Sequence, residues 1–549
     1  MEEKGAPARA VNRGERLIGL DEGGIVKSAS ALLSSGSTGY RTARDKVKSI
    51  SELAEIAEQV RKSGRTIALC HGVFDLIHFG HLRHIELARQ EADVLLITVT
   101  ADQFVNKGPG RPVFPEAMRA EMLGAIEVVD YVGINYAPSA ESAISAIRPD
   151  VYVKGSDYEN ANDDLTGKIG LERQTVERHG GRLVFTKDLT FSSSSLINRY
   201  VDIYDPPLRE FLERLREAKG LRRINTLVDR IKSYKVAFVG DAIIDEYHYV
   251  TTLGKSPKEN VIAALAGDRE VFAGGVFAAA NHVASFCREI EVIGALGAQD
   301  DYGELIAGAL RPNVKYDKVE IPGRPTTRKL RYVQPGYMRK LFEVYFMDDA
   351  PFPAAERNTL KAAVKRVCRD ADLVVVTDFG HGLMDQEMVR IVCDNSKFLA
   401  VNAQSNSANL GFNLITKYPQ ADFICLDAPE ARLAMSDRFS DIAAVIRDGL
   451  AKRIDCDNII VTHGAFGCYT YNADNGVAHI PAFTKTVIDT VGAGDAFFSV
   501  AAPFVAAGGA MDVVGFLGNA AGAIKVGIVG HRASVERTPL LKFAIALLK

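Results

Sequence analysis

The 549-residue chain is too long for one hydrophobic core and calls for about two to four domains. Its 47% hydrophobic and 25% charged composition, with a net charge of -3, is ordinary for a globular protein and gives no overall pull toward nucleic acid or an anionic membrane. Seven cysteines stand singly, without a C-x-x-C pair, which argues against a disulfide framework or a cysteine zinc site and fits a reducing, cytoplasmic compartment.

Residues 1–43 mix Gly, Ser, Ala and charges without periodicity and are predicted to be a mobile tail; no charged-then-apolar leader opens the sequence. A helical pattern over 49–62 precedes a buried strand at 66–70, a loop and helix, and a second strand at 94–100. Further strands at 128–134, 150–155 and 182–186, with helical patterns between them, imply parallel βαβ units in a first domain over 44–200. The segment 201–232 carries Pro206-Pro207 and then LREFLERLREAKGLRR, and reads as a charged helical connector with few apolar positions; as the last helix of the first domain it would read equally well. Strands then recur at 235–241, 291–297, 373–380, 398–403, 422–427 and 458–464, around a β-rich stretch at 315–347, giving a second α/β domain over 233–549. The two units should separate between Arg223 and Ile224. The apolar run from Ala496 to Met511 contains Ser499 and Pro503 and is shorter than the roughly 20 residues a bilayer needs, so it is predicted to be a buried helix with no membrane insertion.

In the first domain, HGVFD (71–75) leaves a strand and His78-Phe79-Gly80-His81 opens a helix. Gly72 lets the backbone, with Val73 and Phe74, approach a phosphate, and the helix end offers free N–H groups. His78 and His81, three apart, project on one side of the first turn, where they can donate to phosphate oxygens as charge develops. This string resembles the H-x-G-H nucleotidyltransferases, in particular their cytidylyltransferase-like members and the adenylyltransferase half of the bifunctional ADP-heptose synthesis family. The resemblance covers roughly 45–200. It implies that Lys107 and Arg111 belong to a basic loop facing the triphosphate and that Lys154 and Asp157 of VKGSDY sit near nucleotide and sugar phosphate. It also implies that Ser192, Ser193 and Ser194 of FSSSSLINR hold phosphates in place of threonines, although a serine run before an apolar helix is equally an N-cap.

In the second domain, DTVGAGDAF (489–497) is the most restrictive motif. Gly492-Ala493-Gly494 can turn successive amides toward one point at a helix start, an anion hole for a transferring phosphoryl group, and Asp495 follows, placed to take a hydroxyl proton. The motif resembles the ribokinase-like sugar kinases over roughly 233–549, which implies an α/β/α sandwich with a small β lid beside the Rossmann-like first sheet. By the same resemblance Asp245, Gly274, Gly275, Asn281 and Lys329 face the sugar, Glu430 and Asp427 organise Mg²⁺, and Thr462, Gly464, Gly467 and Asn519 lie on the nucleotide side. The sequence departs from that pattern at Ala278, where the family has Asn, at Asn402-Ala403-Gln404 in place of D-P-K, and at Asp427 in place of Asn. In the ADP-heptose synthesis family the kinase comes first, whereas here it would be second.

The expected function is that of a bifunctional, cytoplasmic enzyme of nucleotide-sugar synthesis. It would phosphorylate a sugar phosphate such as heptose 7-phosphate with ATP, and transfer a nucleotidyl group from ATP, or alternatively CTP, to a sugar 1-phosphate. Mg²⁺ is the expected cofactor, and small-molecule sugar phosphates and nucleoside triphosphates are the partners, with neither nucleic acid nor membrane among them. A homo-oligomer is compatible with the composition. Other readings are transfer to a different sugar or polyol phosphate, or one half serving as a silent regulatory module.

Overall fold

Short runs rich in β-branched and aliphatic residues become the strands of two separate sheet systems in the computed structural model, which describes residues 41–105, 107–108, 111–155, 168–186, 204–300, 302–484 and 486–549. The N-terminal sheet contains β1 (Val47–Lys48), β2 (Ile67–Gly72), β3 (Val94–Thr100), β4 (Tyr131–Asn135), β5 (Val151–Gly155) and β6 (Arg182–Thr186). They run parallel in the order β1-β4-β3-β2-β5-β6. Helices α1 (Ile50–Lys62), α2 (Phe79–Gln90), α3 (Glu116–Gly124), α4 (Glu141–Ile147) and α5 (Lys168–Arg178) accompany it. Alternation along β2 feeds a core on each face: Ala68 and Cys70 pack with Ile85 and Leu123, Ile67 and Leu69 with Leu53 and Ile144. The chain proceeds from β2 to β3 and β4 on one side and returns to β5 on the other. The carboxyl end of β2 is therefore a topological switch point, where open parallel sheets leave a crevice for ligands.

The C-terminal unit is built on nine strands: β7 (Lys235–Gly240), β10 (Glu289–Gly297), β11 (Val314–Ile321), β14 (Leu373–Asp378), β15 (Leu399–Ala403), β16 (Phe423–Asp427), β17 (Asn458–Thr462), β18 (Cys468–Asn472) and β19 (Gly476–Ile480). Their order is β11-β10-β7-β14-β15-β16-β17-β18-β19, with parallel pairing except at the end, where β18 pairs antiparallel with β17 and β19 antiparallel with β18. A second sheet of β8 (Ala242–Lys255), β9 (Ile262–Gly275), β12 (Thr327–Gln334) and β13 (Arg339–Phe346), ordered β13-β12-β8-β9, is the expected lid. Phe238 and Val375 point into one core, shared with α8 (Val276–Ala284), α13 (Ala493–Ala506), α14 (Met511–Lys525) and α15 (Arg537–Leu548). Val239 and Val376 point into the other, shared with α10 (Ala354–Asp370), α11 (Gln386–Asn395) and α12 (Ala428–Met435). A further short helix, α9 (Gly303–Ala309), follows β10.

The segment expected as a charged helical connector is helical, but it packs as part of the C-terminal unit. It forms α6 (Pro206–Glu217) and α7 (Gly220–Ile231), and Leu208, Phe211, Leu212, Leu215, Ile224, Leu227, Val228 and Ile231 are all buried in the C-terminal core. Arg223 pairs with Asp512 of α14 at 2.7 Å and Arg216 donates to the Leu547 carbonyl at 2.8 Å. The charges occupy the outward faces, and the apolar stripe at spacings of three and four turns inward. A break at Arg223 would thus cut through α7. A fragment starting at Ile224 loses the burial of four α6 side chains, on the order of 6 kcal/mol, a large share of a domain's stability. Fragment 204–549 is expected to unfold cooperatively in urea, and fragment 224–549 to be unfolded or to melt at far lower denaturant. Equal midpoints would return α6 to the status of a linker.

Residues 1–40 of the expected tail lie outside the described residues. Among the described residues no helix is long and apolar enough to cross a membrane, and α13 is buried as expected. The seven cysteines are unpaired; Cys393 is half-buried and the others are buried.

Two candidate active sites

The first site stands at the switch point of the N-terminal sheet. His78 caps α2, its Nδ1 accepting from the Gly80 amide at 3.1 Å, which places the ring proton on Nε2. The His81 ring stacks on it with centroids 4.0 Å apart and a 27° tilt. Both imidazoles are held neutral: loss of solvent and then Lys107 lower His78, and loss of solvent, then His78 and Lys107, bring His81 down to about 3. As neutral rings they offer hydrogen-bond donors without a full charge. Phe74 adopts a left-handed backbone (φ 50) that folds its ring over Gly72 and toward His81, 5.3 Å between centroids.

Lys107 is the cation whose charge reaches both histidines. Burial, opposed by Asp75 and reinforced by Arg111, lowers its ammonium to about 8. Arg111 is placed differently from the expectation: its guanidinium is buried against Asp75 at 3.1 Å, and Asp75 also accepts from the Val113 amide. It anchors the basic loop over the motif. Lys154 stands next to last in β5, buried beside Glu172 at 3.1 Å and within 3.4 Å of the His71 carbonyl. Asp157, Ser192, Ser193 and Ser194 lie outside the described residues. Arg119, absent from the sequence-based candidates, is completely buried and ties the loops together through the carbonyls of Val73, Thr100 and Phe114.

The second site lies where the lid meets the carboxyl ends of the central strands. Asp245 on β8 sits against Gly274 of β9 so closely that a Cβ there would fall 1.9 Å from its Oδ2, which only glycine permits. Although burial opposes it, Arg331, with His531 at 3.1 Å, holds the Asp245 carboxyl well below the usual carboxylate range. Lys329 pairs in register with Asp245, is buried, and lies 5.5 Å from the Tyr345 and Phe379 rings. Gly275, at φ 53, starts α8. Asn281 does not face the sugar side: its amide donates to Ala309 O at 2.9 Å and accepts from Arg311 N at 3.1 Å, stapling the end of α9.

Gly492, at φ 74, turns the chain into α13, and Ala496 N to Gly492 O at 2.9 Å is the first bond of the helix. The amides of Gly494 and Asp495 precede any intrahelical acceptor, and a Cβ at Gly494 would meet nothing within 4 Å, so the turn opens outward. Asp495 stands in this first turn. Its Oδ1 accepts from Gln404 Nε2 at 2.7 Å, and burial followed by repulsion from Asp245 raises its carboxyl against the pull of His531 and Lys329. Gln404 belongs to the segment that departs from the family's D-P-K. The motif's first residue, Asp489, joins lid to turn, accepting from Lys340 at 2.5 Å, Tyr247 OH at 2.8 Å and Gly530 N at 2.8 Å.

Asp427 and Glu430 form a capping box at the start of α12, with bonds of 2.7 and 3.0 Å, and Glu430 also accepts from Ser405 N at 3.2 Å. Burial and then the Asp427 charge push Glu430 up to about 8, and burial raises Asp427. Among the described residues no three His, Cys, Asp or Glu side chains gather as a metal cluster. Thr462 ends β17; Gly464 (φ 52) opens the following turn, and Gly467 lies against the Ile480 carbonyl. Asn519 is buried and donates to the carbonyls of Ile480 and Pro481 at 3.3 and 3.1 Å, so it props up the backbone beside Gly467.

A parallel sheet with an H-x-G-H turn at its switch point, joined to a sandwich with a glycine turn and an aspartate under a lid, places the chain among transferases of phosphorus-containing groups. The chain belongs to the pfkB family of carbohydrate kinases, which matches residues 233–538, and residues 69–199 match the cytidylyltransferase-like family. The bifunctional protein HldE of Rhodopseudomonas palustris is 29% identical over 313 residues, 56% of this chain and 62% of that protein. The bifunctional protein HldE of Syntrophotalea carbinolica is 32% identical over 164 residues, 29% of this chain and 32% of that one. That of Acidiphilium cryptum is 40% identical over 152 residues, 27% and 30% of the two chains. The alignments thus span less than two thirds of the length of these relatives. An Arabidopsis thaliana ribokinase structure covers 58% of this chain and 99% of its own at a TM-score of 0.44 and 17% identity.

Proposed function

We propose that the C-terminal unit phosphorylates the anomeric hydroxyl of a sugar phosphate with ATP and that the N-terminal unit joins a sugar 1-phosphate to a nucleotidyl group. The observation that carries the kinase half is the Asp495 carboxylate, tethered through Oδ1 by Gln404 and set in the first turn of α13 among Asp245, Lys329 and His531. Asp495 takes the hydroxyl proton, the oxygen bonds to the γ-phosphorus, and the bond to the β-bridging oxygen breaks to release ADP. The amides of the Gly492–Gly494 turn receive the phosphoryl charge. Asp245, fixed as an anion, accepts sugar hydroxyls, and Lys329 faces the substrate's phosphate.

Two neighbouring carboxylates whose ionisation is disfavoured suit a hard divalent cation, so Glu430 and Asp427 would hold Mg²⁺, directly or through water. Bound there, Mg²⁺ supplies neutralisation of the triphosphate. At the N-terminal site a sugar 1-phosphate oxygen attacks the α-phosphorus and pyrophosphate leaves. His78 and His81 donate to the α-phosphate oxygens, and Lys107 meets the triphosphate.

Heptose 7-phosphate and heptose 1-phosphate are the leading substrates, supported by Thr327, Lys329 and Arg331 on β12, whose T-x-K-x-R pattern resembles that of heptose kinases, and by the likeness to HldE proteins. ATP is the leading donor for the N-terminal unit; its cytidylyltransferase-like match makes CTP the second reading. A panel of sugar phosphates with ATP or CTP, assayed separately for ADP and pyrophosphate, tests both. The expected outcome is ADP from heptose 7-phosphate with ATP, and pyrophosphate from heptose 1-phosphate faster with ATP than with CTP. Turnover of neither heptose phosphate, with another sugar or polyol phosphate accepted, would replace the substrate assignment.

A further inference from the structure

Lys525, the last residue of α14, is completely buried, a placement lysine rarely takes. Its Nζ donates to Gly530 O at 2.7 Å and Val491 O at 2.8 Å, with Ile528 O at 3.5 Å. Val491 immediately precedes Gly492, the left-handed residue that starts the anion-hole turn, and a Cβ on Gly492 would lie 3.4 Å from Lys525 Cε. The ammonium therefore sits directly behind the turn. Its donors meet backbone carbonyls from both sides, the 488–492 turn and the 526–531 loop. An ammonium has three N–H donors for these carbonyls, one more than a neutral amine.

The charged groups around it are Asp489, Asp495, Asp245 and Lys340. Burial lowers the ammonium's pKa, while the three carboxylates favour the charged form. Asp489 grips the same two segments through other atoms, accepting from Val491 N at 3.1 Å and Gly530 N at 2.8 Å. Turn and loop are thus clamped by a cation on their carbonyls and an anion on their amides. Carbonyl oxygens converging on one positive point are also what a dehydrated alkali cation is held by.

We propose that Lys525 is a positioning residue for phosphoryl transfer: a resident monovalent cation that pins the anion-hole turn, making the kinase independent of any free alkali cation. This rests on the kinase reading above. Removing the side chain leaves a cage of carbonyls next to three carboxylates, with room for a small cation. Filling it with an apolar chain leaves the carbonyls without a positive partner and no room for one.

The test measures ADP release by the full chain in potassium chloride and in choline chloride at equal ionic strength, for the parent, Lys525→Ala and Lys525→Met. The parent is expected to turn over equally in both salts. Lys525→Ala should lose about 10²-fold in kcat, with KM for the sugar phosphate little changed. Potassium or ammonium should restore much of that loss, whereas Lys525→Met should lose as much and recover nothing. Pyrophosphate release should not change in either variant. The proposal is overturned by a parent enzyme that needs potassium, by Lys525→Ala retaining parental kcat in choline, or by a loss that no monovalent cation restores in a variant with the parental thermal transition. If both variants fail to fold, the parent's salt dependence decides. A parent that releases no ADP in any salt would instead overturn the kinase reading beneath it.

Discussion

Replacing Asp495 by Asn is expected to cut ADP release by about 10²–10⁴-fold, the contribution of a positioned general base, while pyrophosphate release keeps its parental rate. The substitution is clean because Gln404 donates to Oδ1, which an asparagine retains as its carbonyl oxygen. Nδ2 then stands where the proton-accepting Oδ2 stood, so shape and tether persist and only the basic lone pair is lost. Binding of ATP and sugar phosphate, held by the turn amides, Asp245 and Lys329, should change far less than kcat. ADP release within a few-fold of the parent would remove Asp495 from the chemistry and leave Asp245 as the base to examine.

His81→Ala is expected to lower pyrophosphate release by about 10²–10³-fold, comparable to deleting one donor from an oxyanion hole. Two effects add: the donor itself goes, and His78 loses the ring on which it stacks at 4.0 Å. Since His81 titrates at about 3, its ring is neutral across the assay range, and the loss should be the same at pH 6 and pH 8. A loss confined to low pH would mean that the imidazolium was the working form. ADP release should persist, because α2 packs in the N-terminal core. Collapse of both activities would indicate a folding defect.

Much of this architecture is legible in the sequence because strands and glycine turns obey local rules. The buried runs at 67–72 and 235–240 have strand length and composition, and Gly492 marks a left-handed helix start. The sequence does not disclose what a polar side chain touches. Arg111 and Asn281 look like ligand-binding groups but serve Asp75 and the end of α9, and Asn519 braces Ile480 and Pro481. Conversely Arg119 and Lys525 look like surface charges and are entirely buried, since they bond loop carbonyls, among them Thr100 for Arg119 and Val491 for Lys525, that lie well away in sequence. Gln404 was visible only as a departure from a pattern; its bond to Asp495 spans 91 positions. In 201–232 the charges are counted more easily than the stripe Leu208, Phe211, Leu212 and Leu215, whose spacing alone carried the signal.

The unpaired cysteines have a practical consequence for following motion in the molecule. Burial pushes the thiols of Cys70, Cys287 and Cys456 up to about 12 and those of Cys368 and Cys393 up to about 11, and raises Cys425 and Cys468 as well. Maleimides attack thiolates, and at neutral pH almost none is present on any native cysteine. One cysteine introduced on the exposed end of the β8–β9 hairpin would accept a fluorophore or spin label with all seven native thiols left in place. Whether and how far the lid moves relative to Asp495 could then be measured in the native background.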